Sequence, residues 1–246
     1  MGFLKNIQTF RNWYDIYRTR HGLLHDEFIC KTRTGAKILV RPWADDVRIV
    51  KSVFAKKNYV NEFVSIMPNS IVVDVGANIG AFTIFAAQMA EKVFAFEPEP
   101  ENFRLLCSNI ELNRLKNVIP SRMAITKKKG KKNFYIAEKQ HSGSHSFFLQ
   151  QYKKKIEVKT LSIMDLIEKE ALTKINFLKL DCEGSEDEII QGLSSEAAKK
   201  IEQIALEFHR INDSFTTDKM VGKLNTLGFE VRVEKNGGYI FARQKK

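Results

Sequence analysis

Four apolar stretches of this 246-residue chain each lead into a polar residue able to do chemistry: Asp74 within Ile71–Val75, Glu97 after Val93–Phe96, Asp181 after Ile175–Leu180, and His209 after Ile204–Phe208. A carboxylate at the end of a buried strand is costly unless a ligand or backbone donors satisfy it. Such groups belong at the carboxyl edge of a sheet, where α/β proteins bind ligands. His209 is the histidine placed at a predicted strand end, and an imidazole near its ordinary pKa suits general-base work at neutral pH. A structural histidine closing the strand end is the plainer role. Glu183 stands in Asp181-Cys-Glu-Gly184, where a tight strand-to-helix turn would aim its carboxylate over the sheet edge or let it cap the helix near Ser185. Asp181, Glu183 and His209 are therefore the candidate catalytic groups.

The elements that must position these groups follow from periodicity. Ser70–Gly80 reads as a buried, mostly β-branched strand, an acidic strand end, a glycine turn and the start of a helix over Ala81–Ala90. Gly76 and Gly80 let backbone turn sharply and approach a ligand closely. Glu97 lies 97 − 74 = 23 residues beyond Asp74, near the ~20 expected of a carboxylate that binds ribose. A dinucleotide site would fit that spacing, but its fingerprint places glycine where this chain has Asn78. A nucleoside ligand without phosphates, such as S-adenosylmethionine, makes no such demand. Further strands are expected at Lys92–Glu97, Asn117–Ala124, Ile175–Leu180 and Ile204–Phe208, with helices at Glu101–Leu112, Leu161–Lys169 and Phe215–Leu227. Phe229–Val233 and Tyr239–Ala242 form a closing antiparallel hairpin. The alternation predicts an α/β fold with a mostly parallel sheet covered on both faces.

Ahead of this unit, residues 3–20 space apolar side chains as one amphipathic basic helix, suited to packing on its own domain or to peripheral contact with a membrane surface. A hairpin (Glu27–Thr32 with Ala36–Arg41) and a helix over Asp45–Lys56 follow. The expected organisation is thus an N-terminal helix, hairpin and capping helix in 1–58 and a larger domain in 59–246. Three distant cysteines, 30, 107 and 182, indicate neither a disulfide framework nor a zinc cluster and fit a reducing, cytoplasmic setting. His141 and His145 flank Ser-Gly-Ser, a loop composition that disfavours helical metal ligation, so no metal is expected. The formal charge of +11 would suit an anionic partner. Its clusters, Lys127–Lys132 and Lys153–Lys155, sit beside predicted hairpin turns, where lysines also protect sheet edges. Nucleic acid is not the expected partner.

With these residues in place, the chain resembles the FkbM family of S-adenosylmethionine-dependent methyltransferases. The match lies in Val73-Asp-Val-Gly-Ala-Asn-Ile-Gly80, Phe96-Glu-Pro98, the Gly-Ser segment near 142–146, Leu178-Lys-Leu-Asp-Cys-Glu-Gly-Ser-Glu186 and Leu206-Glu-Phe-His209, and covers roughly residues 60–242. It implies a Rossmann-like class I methyltransferase fold, with seven strands and an antiparallel last strand, and S-adenosyl-L-methionine as cofactor. It also implies methylation of a hydroxyl on a sugar, lipid or other small molecule. By position, Asp74, Gly76, Ala77, Asn78 and Gly80 would border the methionine end of the cofactor. Glu97 would bind its ribose, Met123 and Ala124 would lie near the adenine, and Asp181 and Glu183 would line the methyl-transfer site. On that chemistry Glu183 or His209 would take the hydroxyl proton. Two alternatives are a tRNA or RNA base methyltransferase, favoured by the basic charge but lacking an Asn-Pro-Pro-Tyr segment, and a catalytically inactive cofactor-fold binding protein.

Overall fold

The structure is a computed structural model that describes residues 3–136, 152, 154–209, 216–234 and 238–245. Helices α1 (Phe3–Thr9) and α2 (Trp13–Arg20) precede a hairpin of β1 (Phe28–Lys31) and β2 (Lys37–Val40). Helix α3 (Asp46–Lys51) then runs into a π-helical turn, Ser52–Lys56. There follow β3 (Ile71–Val75), α4 (Ala81–Ala87), β4 (Lys92–Phe96), α5 (Pro100–Leu112), β5 (Val118–Ser121), β6 (Ala124–Ile125), β7 (Gly130–Ile136) and β8 (Lys154–Leu161). The chain continues through α6 (Ile163–Lys169), β9 (Phe177–Leu180), α7 (Glu186–Gly192), α8 (Ser195–Lys199), β10 (Gln203–Glu207), α9 (Thr217–Thr226), β11 (Phe229–Val233) and β12 (Tyr239–Gln244).

Seven strands form one sheet in the order β11-β12-β10-β9-β3-β4-β5. β10, β9, β3, β4 and β5 pair in parallel, and β12 runs antiparallel between β10 and β11. This is the class I methyltransferase arrangement that the resemblance implies. The chain leaves β3 toward β4 on one side and returns as β9 on the other, so a crevice opens at the carboxyl ends of β3 and β9. Register decides which residues face it. Val75 pairs with both Phe96 and Leu180, and Leu206 pairs with Leu180, so Gly76, Glu97, Asp181 and Glu207 come level at one edge.

Alternation along β3 sends Val72 to one face and Val73 to the other. On the first face Phe10, Ile16, Ile38, Val50 and Phe54 pack in one core with Val72, Phe82, Leu105 and Phe177. The N-terminal 58 residues thus share a core with the sheet. On the opposite face Val73, Phe94, Leu166, Ile190, Leu206 and Phe229 form the second core.

The structure departs from the expected elements at three places. The single helix over 3–20 is two helices, because Phe10 leaves the helix to bridge to Thr32 and is fully buried, while Asn12 bonds Lys31 N–H and Ile29 carbonyl. The strand expected over 117–124 ends at Ser121. Met123 N–H turns back to the Ser121 carbonyl, and Ala124–Ile125 join a separate sheet of order β6-β8-β7. Leu161 completes β8, and Ser162 forms a capping box with Asp165 that starts α6. His141, His145, the Gly-Ser segment near 142–146, and Asn236 and Gly237 of the closing turn lie outside the described residues. Among the described residues no helix is long and apolar enough to cross a membrane.

Candidate active site

A cavity of about 320 Å³ occupies the crevice, within the range of small-ligand sites. One end is built by the glycine turn after β3. Gly76 takes φ 75°, and a Cβ there would stand 1.8 Å from the Asp181 carbonyl oxygen, so only glycine lets the two strand ends meet. Asn78, also left-handed at φ 52°, directs its N–H to Glu97 Oε2 at 2.7 Å, and Glu99 N–H donates to Glu97 Oε1 at 2.9 Å. Burial pushes the Glu97 carboxyl up to about 8 against the pull of these amides. Ala77, Asn78 and Glu97 line this end, and Ala124, Ile125 and Phe134 give it an apolar wall.

Three of the expected cofactor residues stand elsewhere. Asp74 is fully buried behind the cavity, where Thr83 Oγ1 donates to it at 2.6 Å and Lys179 Nζ pairs with it at 3.0 Å. Asp74 and Lys179 are direct cross-strand partners, so the ion pair is a product of register. Gly80, at φ 90°, brings α4 against Leu106 of α5, whose Cδ1 would lie 2.6 Å from a Cβ. Met123 packs against the second core. Among the described residues, the cavity wall includes none of these three.

The other end of the cavity is acidic. Asp181, Glu183 and Glu207 line it with Tyr59 and Tyr239, and Arg48, Ser52, Lys56 and Asn58 from α3 and the segment after it form the rim. Glu183 is held at φ 52° and Gly184 at φ 105°, which turns the chain from β9 into α7. Glu186 is buried beneath them, accepting Cys182 N–H at 2.7 Å and Gly184 N–H at 2.8 Å. His209, two residues past the end of β10 and outside the cavity wall, places Nδ1 3.0 Å from Glu186 Oε1. Its Nε2 lies 3.7 Å from Glu183 Oε2 and 3.9 Å from Asp181 Oδ1.

Those contacts overturn the expectation that His209 titrates near its ordinary value. Burial alone would lower its pKa, but the hydrogen bond to Glu186 and the charges of Glu186, Glu183 and Asp181 outweigh it and lift the imidazole to about 10. At neutral pH the ring is a cation whose proton is already in place. One oxygen each of Asp181 and Glu186 and one ring nitrogen of His209 lie within 4.8 Å of one another. Burial pushes Glu183 up to about 8, opposed by His209. Burial, and then Asp181, likewise raise Glu207.

Sequence reasoning missed Lys179, Tyr59 and Glu207. A lysine inside the otherwise apolar Phe177-Leu-Lys-Leu180 was a visible signal for a buried counter-ion. Glu207 stood in the Leu206–His209 block, two residues from the group chosen instead. Tyr59 carried no periodic signal.

The model of the methyltransferase FkbM domain matches residues 74–231. Methyltransferase 1 of Beauveria bassiana is 26% identical over 234 residues, covering 86% of this chain and 90% of that protein. Hexuronic acid methyltransferase AglP of Haloferax volcanii is 25% identical over 177 residues, covering 72% of each. Among solved structures, the methyltransferase FkbM of Methylobacillus flagellatus KT superposes with a TM-score of 0.51 at 16% identity, over 76% of this chain and 47% of that one, a likeness of fold. With the domain model spanning most of the sheet and the site, the chain belongs to the FkbM methyltransferases, a family whose methyl donor is S-adenosyl-L-methionine.

Proposed function

We propose that the protein methylates a hydroxyl oxygen of a small-molecule, sugar or lipid acceptor, with the glycine-turn end of the cavity holding the cofactor and the acidic end holding the acceptor. The observation that carries this reading is one cavity joining Glu97 to Asp181, Glu183 and Glu207. Bound there, S-adenosyl-L-methionine supplies a methyl group on a positively charged sulfur. The residues present suit it: Glu97 offers a carboxylate already oriented by two backbone amides, Gly76 leaves room for close approach, and the apolar Ala124, Ile125 and Phe134 can cover a flat ring. The carboxylates at the far end complement the positive sulfur and also supply the base.

With His209 already protonated, the hydroxyl proton passes to a carboxylate: the Asp181 and Glu207 pair is within the cavity to take it, and so is Glu183 in its ionised form, whose share grows as pH rises toward about 8. A positioned base contributes ~10²–10⁴ in rate, and orientation of the hydroxyl supplies much of the remainder. Relatives support an oxygen acceptor: one is a hexuronic acid methyltransferase and another is 31-O-demethyl-FK506 methyltransferase FkbM of Streptomyces tacrolimicus. The rival RNA reading draws on the formal charge of +11. Against it, Lys131 is paired with Glu157 and Lys132 with Glu188, so part of the lysine run is engaged within the fold.

Calorimetry tests the reading. S-adenosyl-L-methionine should bind in preference to NAD. Measured above pH 8, where Glu97 is ionised, Glu97→Ala should weaken binding by about 10- to 100-fold, the equivalent of losing hydrogen bonds to a charged acceptor at ~1.5–3 kcal/mol. Tight NAD binding without S-adenosyl-L-methionine binding would overturn it, and a strong, salt-dependent RNA affinity would favour the rival.

A further inference from the structure

The segment between the N-terminal helices and β3 lies outside residues 74–231, where the family model matches, yet it places one side chain at the centre of the acidic end. Tyr59 is 5% exposed, and its Oη lies 2.6 Å from Asp181 Oδ2 and 2.9 Å from Glu207 Oε2. Its ring is fixed edge-on to Phe82 and Tyr239, at centroid separations of 5.4 and 5.7 Å, with Lys179 Nζ 5.3 Å above its face. The hydroxyl therefore has little freedom to choose other partners.

Three oxygens stand in a row with two short separations between them, and each separation calls for a proton. Tyr59 owns one, and an ionised carboxylate has none to donate. A single proton shared between both contacts would leave two ionised carboxylates half-bonded on one hydroxyl, in a place where burial and like charge both oppose the second ionisation. We propose that Tyr59 binds Asp181 and Glu207 into one unit that holds a single extra proton and a net charge of −1 at neutral pH, so that Tyr59 is a positioning residue for proton transfer. The proposal rests on the hydroxyl-methylation reading. In that reaction the acceptor O–H bond breaks, its proton goes to whichever carboxylate is ionised, and the unit becomes neutral. The Tyr59 hydroxyl lets the two carboxylates exchange roles.

The charged and titratable surroundings come from every side. Lys179 of β9 lies 3.7 Å from Asp181 Oδ2 but is also committed to Asp74. His209 faces Asp181, Glu183 and Glu186. Tyr239 of β12 faces Glu207 and accepts a hydrogen bond from Asn58 Nδ2 at 2.7 Å. Arg48 of α3 feels Glu207 and Glu183 from the rim while pairing with Asp45 at 3.0 Å. All three cations are shared with other carboxylates: Lys179 with Asp74, His209 with Glu183 and Glu186, and Arg48 with Asp45. The raised pKa of Glu207, from burial and then Asp181, agrees with the shared proton.

The test is a pH titration of the full chain labelled with ¹³C at the Asp and Glu carboxyl carbons, with resonances assigned through Asp181→Asn and Glu207→Gln. The pair should titrate in two steps at least about two pH units apart, the upper one at or above neutrality. In Tyr59→Phe the steps should draw together by about one unit. Two carboxyls that titrate together below neutrality in the wild type would overturn the proposal, as would a Tyr59→Phe profile identical to it. Calorimetry with S-adenosyl-L-homocysteine checks that each variant is folded, and if Tyr59→Phe is not, the wild-type titration decides alone. Failure of the wild type to bind S-adenosyl-L-homocysteine would count against the methyltransferase reading and leave the titration to judge the shared proton.

Discussion

His209 carries its positive charge because of what surrounds it. Its ring nitrogens face Glu186, Glu183 and Asp181, and that environment lifts the imidazole from an ordinary value of 6.5 to about 10. A raised pKa means that the folded state binds the proton more tightly than the unfolded chain. The resulting stabilisation is therefore fully present below pH 6.5 and is lost as pH rises through about 10. Chemical denaturation of wild type and His209→Gln should show the wild type ahead by at least about 1 kcal/mol more at pH 6 than at pH 10. A difference that stays constant between those pH values would mean that the imidazole is not held as a cation. The same residue shows why type and position alone mislead. A histidine near a strand end looks like a free base until the carboxylates packed around it are known.

Elements outside the main sheet position the site as much as its strands do. Arg41 follows β2 and is 4% exposed. It makes a two-pronged pair with Asp46 at the start of α3, at 2.8 and 2.9 Å, and reaches Asn102 of α5 at 2.8 Å. This buried bridge ties the hairpin, the capping helix and the helix after Glu97 into one frame, and the rim residues Arg48, Ser52 and Lys56 hang from it. Arg41→Met keeps the length of the side chain but takes the guanidinium from a buried Asp46. The expected loss is ~3–5 kcal/mol of unfolding free energy, read from denaturant midpoints, because removing one partner leaves the other's charge uncompensated. A loss below about 1 kcal/mol would show that the bridge adjusts without it. The π-helical turn Ser52–Lys56 belongs to the same frame. It ends at Lys57 with φ 59°, two residues before Tyr59, and sets the path that brings the tyrosine under Asp181.

For the whole molecule, the first 58 residues are bound to the sheet by a shared apolar core. Phe10, Ile16, Ile38, Val50 and Phe54 are buried in the cluster that also holds Val72, Phe82 and Phe177. Cooperative unfolding follows from a continuous core. Differential scanning calorimetry should record one transition for the full chain, and a chain starting at residue 60 should fail to bind S-adenosyl-L-homocysteine. Two separated transitions, with binding retained by the shortened chain, would indicate an independent N-terminal unit. Starting the chain at residue 60 also takes away Tyr59 and the rim, so the acidic end would stand open to water.

The sequence by itself determined the α/β class, the strands ending near Gly76, Glu97 and Asp181, the glycine turn and the closing antiparallel pair. These are recorded in local periodicity and in glycines whose backbone other residues resist. Only the tertiary structure decided that Asp74 faces Lys179 and not the cavity, because that depends on the register of β3 against β9. It also decided that Glu207, level with Asp181, lines the cavity, while His209 supports the acidic cluster from outside its wall. Tyr59 meets Asp181 across 122 residues of chain. No pattern within either segment records that contact, since it arises where a loop from the first core crosses the open edge of the sheet.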